Sequence, residues 1–253
     1  MLLPHDVFTD MIKHADMKTL WQLSRTDKTI KQLCLNDPFG KVLLEFSRNP
    51  YFNLDIKSTR LDDFLNDLVG HDMEMLKRLQ TSFGACLIGK LFNKQIIVLD
   101  GDSNGKSTFL TLMNRVLQHR FVNGTLTAST KYYKDAYIVR FIEGEDWTNF
   151  NFVSTLKRLS GGDVIYARHD IFEHQFTIVI DQNRANLLTS QTDQAFNKRL
   201  NVFHFKTRYV HNPAFINVHD KSKIPNMIDL LLSDENVLPA LLNFLLEGCR
   251  EIM

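Results

Sequence analysis

A strand-to-helix corner near the middle of the chain carries residues that could hold a phosphate. Residues 101–108, GDSNGKST, follow the aliphatic run 95–99 and precede apolar residues that recur at helical spacing over 109–117. Backbone N–H groups at a helix N-terminus, beside a glycine without a side chain, can surround a polyphosphate. Asp, Ser, Asn and Gly also form ordinary polar turns. Because a strand and an apolar helix flank this segment, the pattern favours a phosphate-binding loop.

Specific polar residues of this loop could bind the phosphates and the metal ion of a nucleotide. Lys106 would reach the β- and γ-phosphates of a nucleotide, and the Ser107 hydroxyl would bind Mg²⁺. The usual spacing of such loops has a glycine where this chain has Asp100, whose carboxylate would repel phosphate unless it turns away. The predicted nucleotide-binding residues are Gly101, Ser103, Asn104, Gly105, Lys106, Ser107 and Thr108.

A second predicted strand ends in acidic residues. The run 136–142, AYIVRFI, is followed by Glu143, Gly144, Glu145 and Asp146. A carboxylate at the carboxyl end of a strand beside a phosphate loop can hold Mg²⁺ through water and can orient or deprotonate the attacking water. One of these acidic residues is therefore a candidate catalytic and metal-binding residue, although a solvated acidic turn would have the same composition.

Composition narrows the class of protein. The chain has 253 residues, enough for one α/β core and a smaller appendage, and its net charge of +1 means that any contact with nucleic acid must be local. Cys34, Cys86 and Cys249 are dispersed and odd in number, which favours a reducing compartment. We see no apolar run long enough for a membrane span and no basic signal region, and we expect an intracellular protein.

The first 45 residues predict a small helical unit. The patterns LPxDV at the start, LWQLS over 20–24 and KxxKxLC over 28–34 resemble an F-box, a helical module that docks the Skp adaptor of ubiquitin ligases. The sequence 38–40, PFG, departs from the tryptophan that such modules usually carry there. The alternative is a helical cap that packs on the next domain or joins subunits. We expect a helical connector over 46–92, with helices at 61–68 and 73–83, and the main domain over 93–253.

Five blocks in the main domain together resemble a known family. In order they are GDSNGKST, FIEGED, LKRLSGGDVIYAR, FTIVIDQN and DQAFNKRLNVFHF. This order is similar to the ATPase core of superfamily 3 helicases, in the branch of the poxvirus-type primase-helicases of large DNA viruses and phages. The resemblance covers residues 94–248. It implies an AAA-like α/β P-loop fold with a mainly parallel sheet, and ATP and Mg²⁺ as ligands.

The resemblance also assigns roles at matching positions. Lys106, Ser107 and Glu143 would hold the nucleotide and its magnesium ion, and Glu145 is a secondary candidate for the acidic residue. Asn183 would sense the γ-phosphate, and Arg199 would be the arginine finger that a neighbouring subunit supplies. A hairpin near residues 161–162 would face a central channel and touch DNA, although its flanking bases are also typical of a charged surface loop. These bases are Lys157, Arg158, Arg168 and His169.

The function predicted on this basis is an ATP-dependent DNA helicase or translocase of viral genome replication. It would act as a homo-oligomeric, hexameric ring on single-stranded DNA, in the host cytoplasm or nucleus. One alternative is an adaptor that links a ubiquitin ligase, through Skp, to a target and keeps a degenerate nucleotide fold. Another is an inactive ring subunit damaged at Asp100.

Overall fold

The computed structural model describes residues 15–89, 94–124, 133, 135–142, 150–161, 165–167, 170–172, 176–183, 193–211 and 219–253. Glu143, Glu145, Arg168 and His169, which the sequence singles out, lie outside these residues. Within the described part, no helix is both long and apolar enough to cross a membrane.

Five helices of the described residues precede the sheet. Each begins after a residue whose side-chain oxygen accepts a hydrogen bond from a backbone N–H of the first turn, which is the typical helix N-cap; the capping residues are Asp16, Asp27, Asp37, Ser58 and Asp72. The helices are α1 (Met17–Thr26), α2 (Lys28–Asn36), α3 (Pro38–Phe46), α4 (Thr59–Leu68) and α5 (Met73–Cys86). The sequence PFG, which interrupts the F-box pattern, is thus the first turn of α3.

The centre of the fold is a five-stranded sheet in which all strands run parallel. Its order is β2–β3–β6–β1–β7, so β6 lies between β1 and β3. The strands are β1 (Ile96–Asp100), β2 (Phe121–Asn123), β3 (Ile138–Ile142), β6 (Thr177–Gln182) and β7 (Leu200–His204). This sheet confirms the predicted α/β class with a parallel P-loop-like core.

Two small strand pairs, five further α-helices and a short 3-10 helix, Gln118–Arg120, complete the described part. The pairs are antiparallel β4 (Ile165–Ala167) with β5 (Asp170–Phe172), and parallel β8 (Arg208–Val210) with β9 (Asp220–Ser222). The helices are α6 (Lys106–Leu117), α7 (Phe150–Gly161), α8 (Gln194–Asn197), α9 (Met227–Leu232) and α10 (Val237–Glu251).

Side-chain alternation along the strands divides the core into two layers. Ile97 and Leu99 of β1 face α6 and α10, whereas Ile96 and Val98 face α7. Because β1 carries apolar residues on both faces, it is fully buried, as expected for a central parallel strand. Its carboxyl end therefore holds the following loop at a fixed position.

The N-terminal helices belong to the same apolar cluster as the sheet. Buried residues from Met17 in α1 to Cys249 in α10 form one cluster, which includes residues of all three predicted segments. This packing is what the helical-cap interpretation of residues 1–45 expects. The domain boundaries at 45 and 92 stay predictions.

Candidate functional site

The loop between β1 and α6 has a backbone that requires its glycines. Gly101 has φ +124°, and a Cβ there would lie 2.3 Å from Nδ2 of Asn104. Gly105 has φ +92° and precedes the first residue of α6. Since side-chain-bearing residues rarely adopt either angle, both positions need glycine. Gly101 thus supplies the freedom for the loop to turn immediately after the strand.

The buried side chain of Asn104 stabilises the conformation of the loop through two hydrogen bonds. Its side chain is buried; its Nδ2 donates to the carbonyl of Asp100 at 3.3 Å, and its Oδ1 accepts from the N–H of Lys106 at 3.3 Å. Asn104 was predicted to contact nucleotide, and the structure gives it a role in loop geometry. Ser103 and Ser107 are exposed at the loop surface, where their hydroxyls can meet a ligand.

Lys106 lies buried at the point where the loop, β6 and α6 meet. Its Nζ donates to the carbonyl of Gly101 at 2.5 Å and to Oδ1 of Asn183 at 2.6 Å, and it lies 3.5 Å from Oδ1 of Asp181. Two residues that the sequence places 77 positions apart, Lys106 and Asn183, are therefore in direct contact. Their predicted cooperation at a phosphate is geometrically feasible.

Asp181 is a site residue that the sequence interpretation missed. Its carboxylate is buried and also bonds the guanidinium of Arg140 on β3. Two cations, Lys106 and Arg140, thus share one carboxylate. The local excess of positive charge in a poorly hydrated place favours an anionic ligand.

Asp100 lies away from Lys106. Its register partner is Gln182, whereas that of Leu99 is Asp181, so Asp100 and Asp181 occupy opposite faces of the sheet. Oδ2 of Asp100 lies 2.8 Å from Nδ1 of His204 on β7. Because the Asp100 carboxylate points toward His204 and away from Lys106, it should repel a bound phosphate less than the sequence suggests.

Gln182 is a second unexpected residue at this edge. Its side chain is fully buried, and among the described residues neither its Oε1 nor its Nε2 has a hydrogen-bond partner. Buried polar atoms without partners destabilise a fold. The carboxyl edge of the sheet thus retains polar groups at a cost in stability.

A cavity of about 240 Å³ opens above the loop. Its walls are formed by the loop and by residues more than 100 positions later, which the sequence did not point to because β8, β9 and α9 carry no motif. The lining residues are Ser103, Asn104, Gly105, Lys106, Ser107, Thr108, Tyr209, Lys223, Ile224 and Met227. Lys223 adds an exposed cation to the phosphate-binding side.

An adjoining cleft of about 490 Å³ lies between α4 and α9. It shares Tyr209, Ile224 and Met227 with the first cavity. The N–H of Tyr209 donates to the carbonyl of Ser103 at 2.7 Å, which ties this wall to the loop. Burial, and next the charge of Asp67, raises the pKa of Tyr209 to about 12, so its ring stays neutral. A neutral aromatic and two aliphatic side chains suit a flat apolar group beside a polyphosphate.

Arg199 lies at the opposite end of the sheet from Lys106. Its carbonyl accepts from the N–H of Ile96 at the start of β1, whereas Lys106 follows the end of β1. Its Nη1 donates to the carbonyl of Lys157 at 2.6 Å and to Oγ of Ser160 at 2.8 Å, at the end of α7. The structure therefore does not bring Arg199 to the phosphate loop of its own chain.

Two of the four predicted DNA-binding residues lie on α7. Nζ of Lys157 pairs with Oδ2 of Asp193 at 2.7 Å, and this hydrogen bond lowers the pKa of Asp193 below its usual value. Arg158 is exposed, and no ion pair of the described residues includes it. Arg158 is thus the more available base of the two.

Metal binding rests on one described residue. Of the two predicted ligands, Ser107 lies on the first turn of α6, and Glu143 lies outside the described residues. In the described ranges, no group of three or more His, Cys, Asp or Glu could hold a metal ion. Of the two predicted magnesium ligands, Ser107 is therefore the one whose position the structure describes.

Comparison with known proteins shows which solved structures have a fold similar to that of this chain. No family model matches the chain, and no curated protein matches it. An apo structure of the NrS-1 C-terminal region (305–718) matches with a TM-score of 0.57 and 12% identity, over 81% of this chain and 51% of that one. The chain shares its fold with that region. Another apo structure of this region, in its A form, matches with a TM-score of 0.55 and 13% identity, over 79% of this chain and 49% of that one.

The JCV helicase also aligns, with 12% identity over 90% of this chain and 70% of that one, but its TM-score of 0.37 is too low to carry an argument. The chain spans about half the length of the NrS-1 structures. At these identities, the likeness concerns the fold alone.

Proposed function

We propose that the chain binds ATP with Mg²⁺ at the loop 101–108 and hydrolyses it as the motor domain of a DNA helicase or translocase, in a viral replication machinery. The observation that carries the proposal is the contact of Lys106 with Asn183 and Asp181 beneath an open cavity. A buried lysine held by polar groups at a helix N-terminus is typical of a loop that exchanges these contacts for phosphate oxygens.

The two cavities suggest how ATP would lie. Its phosphates would meet the loop and Lys223, and its base would enter the cleft beside Tyr209. The magnesium ion would neutralise charge on the phosphates, held by the Ser107 hydroxyl together with Glu143. Asn183, already bonded to Lys106, would stand next to the terminal phosphate.

Arg199 can serve hydrolysis only across a subunit boundary. The length of β1 alone separates it from Lys106 by roughly 13 Å, at about 3.3 Å per strand residue. This separation supports the proposal that Arg199 contacts the nucleotide of a neighbouring copy, as in a head-to-tail ring. DNA would be contacted by Arg158 and by the other bases near the predicted hairpin, Lys157, Arg168 and His169.

The Skp adaptor finds no support in the fold comparisons. Leu20, Phe39 and Leu43 of the F-box-like segment are buried in the cluster that also contains α6 and α10. Such packing is typical of a cap on the motor domain.

The test is ATP binding and hydrolysis, with and without single-stranded DNA, by the whole chain. Lys106→Ala should abolish productive ATP binding, because it removes the cation closest to the phosphates. Lys41→Ala is the matched control, since Lys41 is exposed on α3 and does not line the cavity at the loop. Wild-type chain that binds ATP without turning it over would favour the inactive-subunit alternative, and no binding at all would refute the loop assignment.

A further inference from the structure

The cleft between α4 and α9, which we call the base cleft, runs along one face of α4. That helix contributes Thr59, Arg60, Asp63, Phe64 and Asp67, which recur at the spacing of a single helical face. The opposite wall, which α9 and the segment before it provide, is mainly apolar. The base cleft is therefore a slot with aliphatic side chains on one side and a mixed aromatic and acidic surface on the other.

The base cleft begins directly at the phosphate loop. A Cβ on Gly105 would lie 3.4 Å from Cε2 of Phe64 and 3.5 Å from Cε2 of Tyr209, so both rings stand beside the loop. Asp63 precedes Phe64 on α4 and lies one helical turn, about 6 Å along the axis, from Asp67. A nucleotide whose phosphates meet the loop therefore brings its base toward the stretch of α4 that carries Asp63.

Most charged groups of the base cleft are already engaged in contacts. The carboxylate of Asp67 pairs with Nζ of Lys221. Oδ2 of Asp234 accepts from Oγ of Ser58 at 2.7 Å, and this hydrogen bond lowers the pKa of Asp234. Nη1 of Arg60 donates to a main-chain carbonyl at 2.8 Å and to a hydroxyl at 2.7 Å, both at the end of α9. These three groups hold the walls together.

Asp63 is the exception among these charged groups. It is exposed, and it makes no hydrogen bond or ion pair with any residue of the described ranges. An ionised carboxylate accepts hydrogen bonds and donates none. The two oxygens of Asp63 are thus available to a ligand that presents donors to the cleft.

Guanine and adenine differ at the edge that such a carboxylate would meet. Guanine has two adjacent donors, N1–H and the amino group at C2, which can bond both oxygens of one carboxylate. Adenine has one donor there, the amino group at C6, and its N1 is an acceptor that repels a carboxylate oxygen. An unpaired carboxylate therefore favours guanine by attraction and disfavours adenine by repulsion.

We propose that the base cleft selects guanine through Asp63, so that the chain binds GTP more tightly than ATP. This inference rests on the nucleotide site of the proposed function; it adds GTP to the substrates of that site and makes it the preferred one. The apolar walls hold either purine, and Asp63 sets the order between them. Because hydrogen bonds to a charged group are the stronger ones, the preference for GTP should be about tenfold.

The test measures how MgGTP, MgATP and MgITP displace a fluorescent ADP analogue, labelled on its ribose, from the whole chain. GTP should bind wild-type chain about tenfold more tightly than ATP. ITP, which keeps N1–H and lacks the amino group at C2, should fall between them. In Asp63→Asn the amide can accept from the adenine amino group and donate to adenine N1, so the order of GTP and ATP should reverse.

The matched control is Asp62→Asn, which removes the same charge from the neighbouring exposed position of α4, outside the base cleft. Its ratio of GTP to ATP affinity should equal that of wild-type chain. If wild-type chain binds GTP no more tightly than ATP, or if both variants change the ratio equally, Asp63 does not select guanine, and ATP binding at the loop still stands. If none of the three nucleotides displaces the analogue, the nucleotide site itself is refuted, and the selection of guanine with it.

Discussion

At the scale of single residues, the surroundings of Lys106 combine a residue found from a local motif with residues that only the fold brings near it. The motif identifies Lys106 from sequence, because glycine, lysine and serine after a strand are a local signal. Asp181 carries no such signal. Its position next to Lys106 follows from β6 lying beside β1, which is a property of the whole sheet. Tyr209 and Lys223 were not predictable for the same reason.

Asn183 provides a prediction about turnover. In Asn183→Ala, Lys106 keeps Asp181 and the carbonyl of Gly101, so ATP affinity should change little. The hydrolysis rate should fall about 100-fold, because a preorganised polar group beside the terminal phosphate is lost. Steady-state hydrolysis and equilibrium ATP binding by the same preparation separate the two effects. An equal loss of affinity and rate would make Asn183 a binding residue only.

Gln182 provides a prediction about stability. Replacing it with leucine removes two buried polar atoms that have no partner in the described structure, each of which costs about 1–3 kcal/mol. Gln182→Leu should therefore raise the urea midpoint of unfolding. Gln80→Leu is the control, because the Gln80 Nε2 donates to the carbonyl of Phe244 at 3.2 Å and should not be improved by leucine. A lower midpoint for Gln182→Leu would show that the amide is satisfied in solution.

At the scale of elements, apolar periodicity predicted the helices and strands with strong local patterns. The predicted helices 61–68 and 73–83 correspond to Thr59–Leu68 and Met73–Cys86, and the strand 95–99 corresponds to Ile96–Asp100. The short strands β2, β8 and β9 escaped prediction. Each has only three residues, so none contains enough alternation to be recognised.

The crossing of α5 and α10 depends on two glycines that sequence analysis did not mark. A Cβ on Gly248 would lie 2.1 Å from the carbonyl oxygen of Gln80, and one on Gly84 would lie 2.2 Å from the backbone nitrogen of Cys249. Helix backbones can approach this closely only where a side chain is absent. The contact joins the segment before the sheet to the last helix.

Gly248→Ala should therefore destabilise the protein. The gain in helix propensity is about 1 kcal/mol, whereas forcing the two backbones apart costs about 3 kcal/mol, at the upper end for an overpacked core. Thermal or urea unfolding measures the net loss. Glu247→Ala, on the exposed side of the same helix, is the control and should unfold near the wild-type midpoint. Unchanged stability of Gly248→Ala would mean that the helices separate without cost.

At the scale of the whole molecule, the sheet separates the parts of the proposed catalytic site. Lys106 and Arg199 follow and precede parallel strands, so one lies at the carboxyl end of the sheet and the other at the amino end. In the proposed mechanism, a single chain would therefore have two incomplete half-sites that face away from each other. The proposal then requires head-to-tail association of copies, which is the geometry that closes into a ring.

Mixing two inactive variants tests this arrangement. Lys106→Ala should bind no ATP productively, and Arg199→Ala should bind ATP nearly normally but lose turnover, since an arginine supplied in trans contributes on the order of 10³ to 10⁵ in rate. In an equal mixture, about a quarter of the head-to-tail interfaces pair an intact Lys106 with an intact Arg199. Activity should therefore reappear on mixing.

Ser160→Ala separates the trans role of Arg199 from its local role. This variant removes the hydroxyl that Arg199 bonds at the end of α7 and leaves the guanidinium in place. If Arg199 acts on a neighbouring nucleotide, Ser160→Ala should keep most of the turnover, whereas Arg199→Ala should not. A mixture of Lys106→Ala and Arg199→Ala that stays inactive, under conditions where wild-type subunits exchange and hydrolyse ATP, would exclude a shared site, because each half-site would then be present and still unable to complete the other.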